Sequence, residues 1–229
     1  EPIFHDEPDK LHINKAEGNV YVAVPHLQHG LTETEVVTRQ KDMITNLISV
    51  MEVSKYFSWY YTPMAVPFTD HLKPEMIVYD CMDELSAFKF APDTLKQLEF
   101  KLLQKADIVF TGGHSLYDAK KNQHQNIYPF PSSIDFNHFF QARTLKEDPE
   151  DQKTIPHPRF GFYGVIDERM NLQLLHEIAT RKKDWHFILI GPVAKINERD
   201  LPKLDNIHYL GRKEYDELPS YLSGWDVAV

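Results

Sequence analysis

The chain has 229 residues, with 25 Lys and Arg against 34 Asp and Glu and a formal net charge of −9. That acidic surplus argues against nucleic-acid binding, which concentrates basic charge. A single cysteine, Cys81, excludes an internal disulfide and leaves too few thiols for a thiolate zinc site.

The first residues, Glu1-Pro2-Ile3-Phe4-His5-Asp6, carry neither the basic nor the apolar region of a signal peptide. No apolar run approaches the ~18 residues needed to cross a bilayer. With one thiol, these features set the expected compartment as cytoplasmic. Short β-rich runs then alternate with longer amphipathic ones, the rhythm of a parallel sheet with crossover helices. Strands are predicted over 19–24, 57–61, 76–79, 107–111 and 127–130, and again over 159–163, 186–190, 207–210 and 226–229. Helices are predicted over 33–54, 93–104, 115–122, 171–182 and 214–222. In the first helix, Met43, Leu47, Val50 and Met51 recur near the period of a buried face. Phe187-Ile188-Leu189-Ile190 suits a strand covered on both faces. The expected class is doubly wound α/β.

Between 143 and 158, the charged run ending Glu150-Asp151 and the sequence Pro156-His157-Pro158 lack any periodicity and read as a linker. The expected domains are therefore 1–142 and 159–229. The chain lacks a starting Met and closes on Trp225-Asp226-Val227-Ala228-Val229, and it reads as a piece of a longer protein.

Three predicted strands of the second domain run straight into glycine, at Gly164, Gly191 and Gly211, each followed by a basic residue. Glycine lets backbone approach a ligand, and a following helix N-terminus offers free N–H groups to an anion. Arg169 could add a fork for phosphate oxygens and Lys195 a point charge. Equally, the first turn could be an ordinary connection with Asp167 as helix cap and Arg169 in solvent. Pro192 and Arg212 belong to the same exits. None of them matches a dinucleotide fingerprint or a phosphate loop.

In the first domain, Asp80, Asp83 and Glu84 crowd one strand exit, where carboxylates can act as bases or bind hydroxyls. The alternative is that Asp83 caps a short helix and Asp80 supports a loop. Gly112 and Gly113 precede His114 and Ser115, with Ser115 a candidate cap. Ser132 and Ser133 follow the last strand of this half and suit a turn facing a ligand cleft. His26 and His29 lack the spacing of zinc hydrolases, so no metal site is expected. Cys81, among carboxylates, is poorly placed to ionise.

These segments resemble the GT-B nucleotide-sugar glycosyltransferases, family 4 in particular. The closer similarity is to bacterial transferases of teichuronic acid and surface-polysaccharide biosynthesis. It rests on Tyr79-Asp80-Cys81-Met82-Asp83-Glu84-Leu85, Phe110-Thr111-Gly112-Gly113, Phe130-Pro131-Ser132-Ser133-Ile134-Asp135, Gly164-Val165-Ile166-Asp167-Glu168-Arg169 and Trp225-Asp226-Val227-Ala228. The resemblance implies two Rossmann-like domains, with the first strand of the first and the end of the second outside this chain. It implies a donor diphosphate beside Gly164 and a nucleoside near Gly191 and Gly211. The acceptor side would carry Asp80, Asp83, Glu84, Gly112, Gly113, His114, Ser132 and Ser133.

The implied activity is transfer of a sugar, with retained configuration, to a hydroxyl of a surface glycan or lipid-linked acceptor. No cofactor is required, and a peripheral place at the inner membrane face is compatible. Val165 and Met170 stand where the wider family often has Arg and Lys on phosphates, and Arg169 could compensate. Two other readings stay open. One is a non-catalytic nucleotide- or sugar-binding fragment, without activity of its own; the other is a GT-B-shaped epimerase using Asp80, Asp83 and His114.

Overall fold

The computed structural model describes residues 2–145 and 147–229. It divides into two compact units, Glu1–Ser132 and Ser133–Val229.

The first unit opens with β1 (Ile3–His5), β2 (Lys10–Lys15) and β3 (Tyr21–Gln28). β3 lies in the middle of a three-stranded sheet, parallel to β1 and antiparallel to β2. Neither β1 nor β2 was expected. Lys10-Leu11-His12-Ile13-Asn14-Lys15 has only two apolar residues, so pairing with β3 makes it a strand where hydrophobic patterning does not. Next comes α1 (Glu33–Val50), started by a capping box. The Glu35 N–H donates to Thr32 Oγ1 at 3.3 Å, and the Thr32 N–H donates to Glu35 Oε2 at 2.8 Å. Its partly buried stripe runs through Val36, Val37, Gln40, Met43, Ile44, Leu47 and Ile48. Val50 and Met51, expected on that stripe, are 71% and 50% exposed. The period from Met43 and Leu47 continues through Ile48, and the helix ends before it returns.

β4 (Phe57–Tyr60), β5 (Met76–Cys81), β6 (Ile108–Thr111) and β7 (Ile127–Pro129) form a parallel sheet in sequential order. The crossovers carry α2 (Val66–Thr69), α3 (Leu95–Lys105) and α4 (His114–Lys120). One core forms between this sheet and its helices, from Val66, Tyr79, Cys81, Leu102, Leu103, Val109 and Ile127.

In the second unit, α5 (Phe136–Phe140) precedes β8 (Arg159–Tyr163), α6 (Leu172–Arg181) and β9 (His186–Ile190). β10 (Ile207–Gly211), α7 (Leu218–Ser223) and β11 (Val227–Ala228) follow. All four strands are parallel, in the order β10-β9-β8-β11. The order reverses at β8, the point where open α/β sheets bind ligands beyond their carboxyl ends.

The stretch expected to be a linker packs into this unit. Gln152 is fully buried: its Nε2 donates to the Tyr221 carbonyl and to Asp148 Oδ1, each at 3.0 Å, and Trp225 Nε1 donates to its Oε1 at 2.8 Å. Arg159, 2% exposed, holds Asp148 Oδ2 at 2.7 Å and the Ile155 carbonyl at 2.8 Å. Asp151 accepts from the Tyr221 hydroxyl at 2.8 Å. Tyr221 and Trp225 lie far along the chain, so composition alone read the acidic run as solvated. At the division between the units, 131–135 is exposed and lies outside any helix or strand. Limited proteolysis is therefore expected to cut first within 131–135 and to spare 147–158; early cleavage inside 147–158 would contradict this packing.

At the amino ends of β9 and β10, His186 Nδ1 and His208 Nε2 share a hydrogen bond of 3.0 Å. Burial depresses the pKa of both; Arg159 adds to the effect at His186, and His186 does so at His208. A depressed imidazole pKa means the unfolded chain takes protons first, so stability is lost as pH falls below about 6.5. His208→Gln should flatten this part of the pH dependence, as read by urea unfolding on either side of that pH.

Candidate functional site

Backbone hydrogen bonds sew the three strand exits of the second unit together. The Gly164 N–H donates to the Ile190 carbonyl and the Gly191 N–H to the Gly211 carbonyl, each at 2.9 Å. The Ile166 N–H donates to the Pro192 carbonyl at 3.0 Å, and Ala194 returns a bond to Ile166 at 3.0 Å. The approach is so close that a Cβ on Gly191 would overlap the Gly164 carbonyl oxygen. Gly191 also has φ 141°, a conformation costly to other residues.

Gly191, Pro192, Gly211 and Arg212 line a cavity of about 470 Å³, with Arg199, Lys203 and Tyr209. Gly164, Asp167 and Arg169 line another of about 640 Å³, whose walls include Phe160, Phe162, Leu174 and Leu175. The three glycine exits thus touch one another but open onto two hollows. Arg199 and Lys203 were not anticipated, because they lie in and just after a short 3-10 turn, Glu198–Asp200, beyond the β9 exit with no motif around them.

Asp167 is buried and does not cap a helix. Its carboxylate accepts from Arg169 Nε at 3.0 Å, from Arg169 Nη2 at 2.8 Å and from the Arg169 N–H at 3.0 Å. The guanidinium holds this carboxyl below its usual range. α6 begins only at Leu172, where Asn171 Oδ1 accepts from the Leu174 N–H at 3.0 Å. The expectation of a helix N-terminus directly beside Gly164 is therefore corrected: a loop braced by the Asp167–Arg169 pair intervenes. Lys195 Nζ lies 3.7 Å from Glu168, and Arg212 Nε lies 3.9 Å from Glu214 on an exposed surface.

In the first unit the acidic exit of β5 separates into three roles. Asp80 Oδ2 accepts from Trp59 Nε1 at 3.3 Å. Glu84 pairs with Lys120 Nζ at 2.9 Å and accepts from Ser86 Oγ at 2.7 Å. Asp83 is exposed. Cys81 is buried, which pushes its thiol up to about 11. The Gly112 N–H donates to the Cys81 carbonyl at 2.9 Å, and a Cβ on Gly112 would overlap the Met82 carbonyl oxygen. Gly113 occupies the cap position of α4, His114 is its exposed first residue, and Ser115 lies within the helix, so it is not the cap expected. Ser132 and Ser133 are exposed at the division between the units. Among the described residues, no group of three His, Cys, Asp or Glu side chains has metal-holding geometry. Among them, too, no helix is long and apolar enough to cross a membrane.

Two units, each with a parallel sheet and its crossover helices, have the GT-B fold, the architecture of a large class of glycosyltransferases. No family model matches the chain. Among solved structures, it is similar to HepE of Anabaena in complex with UDP, with TM-score 0.64 and 13% identity over 90% of this chain and 59% of that one. A complex of HepE with UDP and glucose gives TM-score 0.63 and 14% identity, over 90% and 60% of the two chains. Sucrose-phosphate synthase of Thermosynechococcus elongatus gives TM-score 0.68 and 12% identity, over 99% and 63%. A curated relative, the Bacillus subtilis protein described as "Putative teichuronic acid biosynthesis glycosyltransferase TuaH", is 22% identical over 187 residues, 75% of this chain. The chain spans 47% of that relative's length.

The contact between Gly191 and Gly164 gives a direct expectation. Gly191→Ala should cost about 2–3 kcal/mol of stability, because backbone on both sides must move. Gly211→Ala, where a Cβ meets nothing, should cost about 1 kcal/mol. Urea unfolding of the two variants checks the order.

Proposed function

We propose that this chain is part of a glycosyltransferase that moves a sugar from a nucleotide-diphosphate donor to a hydroxyl of a cell-surface polysaccharide or lipid-linked acceptor. The observation that carries the reading is the joining of the β8, β9 and β10 exits beside the reversal of strand order, next to a cavity bearing Arg199, Lys203 and Arg212. The UDP-bearing relatives and the teichuronic acid relative support it.

On this reading the second unit holds the donor. Backbone at Gly164, Gly191 and Gly211 approaches it closely, while Arg199, Lys203, Arg212 and Lys195 offset the diphosphate charge. Charge grows on the leaving diphosphate as the glycosidic bond breaks, and fixed cations and N–H groups stabilise it there. Asp167 acts indirectly, by bracing Arg169 and the loop. Asp83, exposed, and Asp80 are the carboxylates able to accept a hydrogen bond from an acceptor hydroxyl or take its proton. Glu84 is committed to Lys120. Gly112, Gly113, His114, Ser132 and Ser133 complete the acceptor side. Retained anomeric configuration follows from the family-4 resemblance, and a lipid-linked acceptor would bring a cytoplasmic enzyme to the inner membrane face.

Isothermal titration with UDP and UDP-glucose tests the donor assignment. The expected result is binding that weakens about tenfold in Arg199→Ala/Arg212→Ala, the loss of roughly one charge-assisted contact. Absence of binding to any nucleotide or nucleotide sugar across a uridine, adenosine and guanosine panel would end the proposal. Binding by the full-length protein without turnover would favour a binding module. An epimerised nucleotide sugar formed without acceptor would favour the epimerase.

A further inference from the structure

A charged cluster lies beneath the β5 exit, around the ammonium of Lys120. Lys120, at the end of α4, has a side chain only 4% exposed. Its ammonium donates to both carboxylate oxygens of Glu99 at 2.9 Å and lies 2.9 Å from Glu84 Oε2. The Tyr79 hydroxyl donates to Glu99 Oε1 at 2.8 Å, and the Cys81 thiol points at the same oxygen from 3.7 Å. Desolvation opposes charge on Lys120, but its hydrogen bonds to Glu99 and Glu84 prevail, and its pKa is raised.

Glu99 alone would neutralise the buried ammonium and engage it through both oxygens. Glu84, whose side chain is 41% exposed, therefore adds a second carboxylate to a cation already paired. What Glu84 adds is attachment. The exit of β5 is fixed at one end by the bond from the Gly112 N–H to the Cys81 carbonyl at 2.9 Å. Glu84 ties the other end to α4 through Lys120, beside local bonds to the Asp83 carbonyl from the Leu85 N–H at 3.0 Å and the Cys81 thiol at 3.6 Å. Between the two anchors lie only Met82 and Asp83, both exposed.

We propose that Lys120 and Glu84 are positioning residues that hold the span Met82–Asp83 taut, so that Asp83 keeps a fixed place at the carboxyl end of the sheet. The inference rests on the transferase reading for its purpose, namely presenting Asp83 to an acceptor hydroxyl. It rests on the Glu84–Lys120–Glu99 contacts for its mechanism. Glu99 anchors Lys120 from α3, so the span takes its position from two helices of the core as well as from its own strand.

The test uses the full-length protein carrying Glu84→Ala or Glu84→Gln. Alanine removes the attachment, whereas glutamine keeps an oxygen for Lys120 and for Ser86. Hydrogen exchange should quicken about tenfold at amides 82–86 in Glu84→Ala, stay unchanged across β5 and β6, and return close to wild type in Glu84→Gln. With UDP-glucose as donor and p-nitrophenyl β-glucoside as acceptor, Glu84→Ala should raise the acceptor KM about tenfold and leave the donor KM within twofold. Unchanged exchange at 82–86 in Glu84→Ala would overturn the proposal. So would faster exchange throughout the first unit with both KM values raised, since that marks a merely structural contact. If the wild-type protein binds no nucleotide sugar of the uridine, adenosine and guanosine panel, the transferase reading fails, and the exchange pattern still decides whether the span is held.

Discussion

The carboxyl ends of both parallel sheets are organised by one steric constraint. Neighbouring strand exits come so close that only a glycine fits where they touch. In the second unit, Gly191 leaves room for the Gly164 carbonyl; in the first, Gly112 leaves room for that of Met82. At each contact an N–H reaches the neighbouring exit, from Gly164 to Ile190 and from Gly112 to Cys81. The loops that would meet a ligand are thereby fixed by backbone bonds, with side chains left to set charge and contact.

Charge follows the same division of labour. Several groups with the chemistry of a site are spent on structure: Asp167 on Arg169, Glu84 on Lys120, Asp148 on Arg159. Buried ions need partners, and the partners come from the same unit. What stays accessible is smaller and more informative: Asp83 on the first unit, and the basic residues around the Gly191–Gly211 cavity on the second. Each unit has its own core, and the short exposed run 131–135 joins them.

Much of the fold was legible along the chain. β8 and β9 span the residues expected of them, 159–163 and 186–190, and the other strands of the two parallel sheets fall within a residue or two of expectation, because buried parallel strands are mostly apolar. β2 was not legible, since its six residues carry two apolar side chains and its partner β3 decides its conformation. The 143–158 stretch misled for a related reason. Charge and proline suggested solvent, but Asp148, Asp151 and Gln152 find partners at Arg159, Tyr221 and Trp225. For the candidate site, the glycines and the acidic exit could be found by their place after strands. The roles within them could not: Asp167 reads as a cap and Glu84 as a reactive carboxylate until their cations are seen.

The sequence by itself determined the α/β class, the parallel strands and the glycines at their exits, because period, β-branching and the absence of a Cβ are local properties of residues. The tertiary structure alone decided where the division falls, which exits touch and which charges are spent on each other. For the touching exits, and for Glu84 with Lys120, the partners are tens of positions apart, and only the closing of the sheets and the packing of helices on them sets such distances.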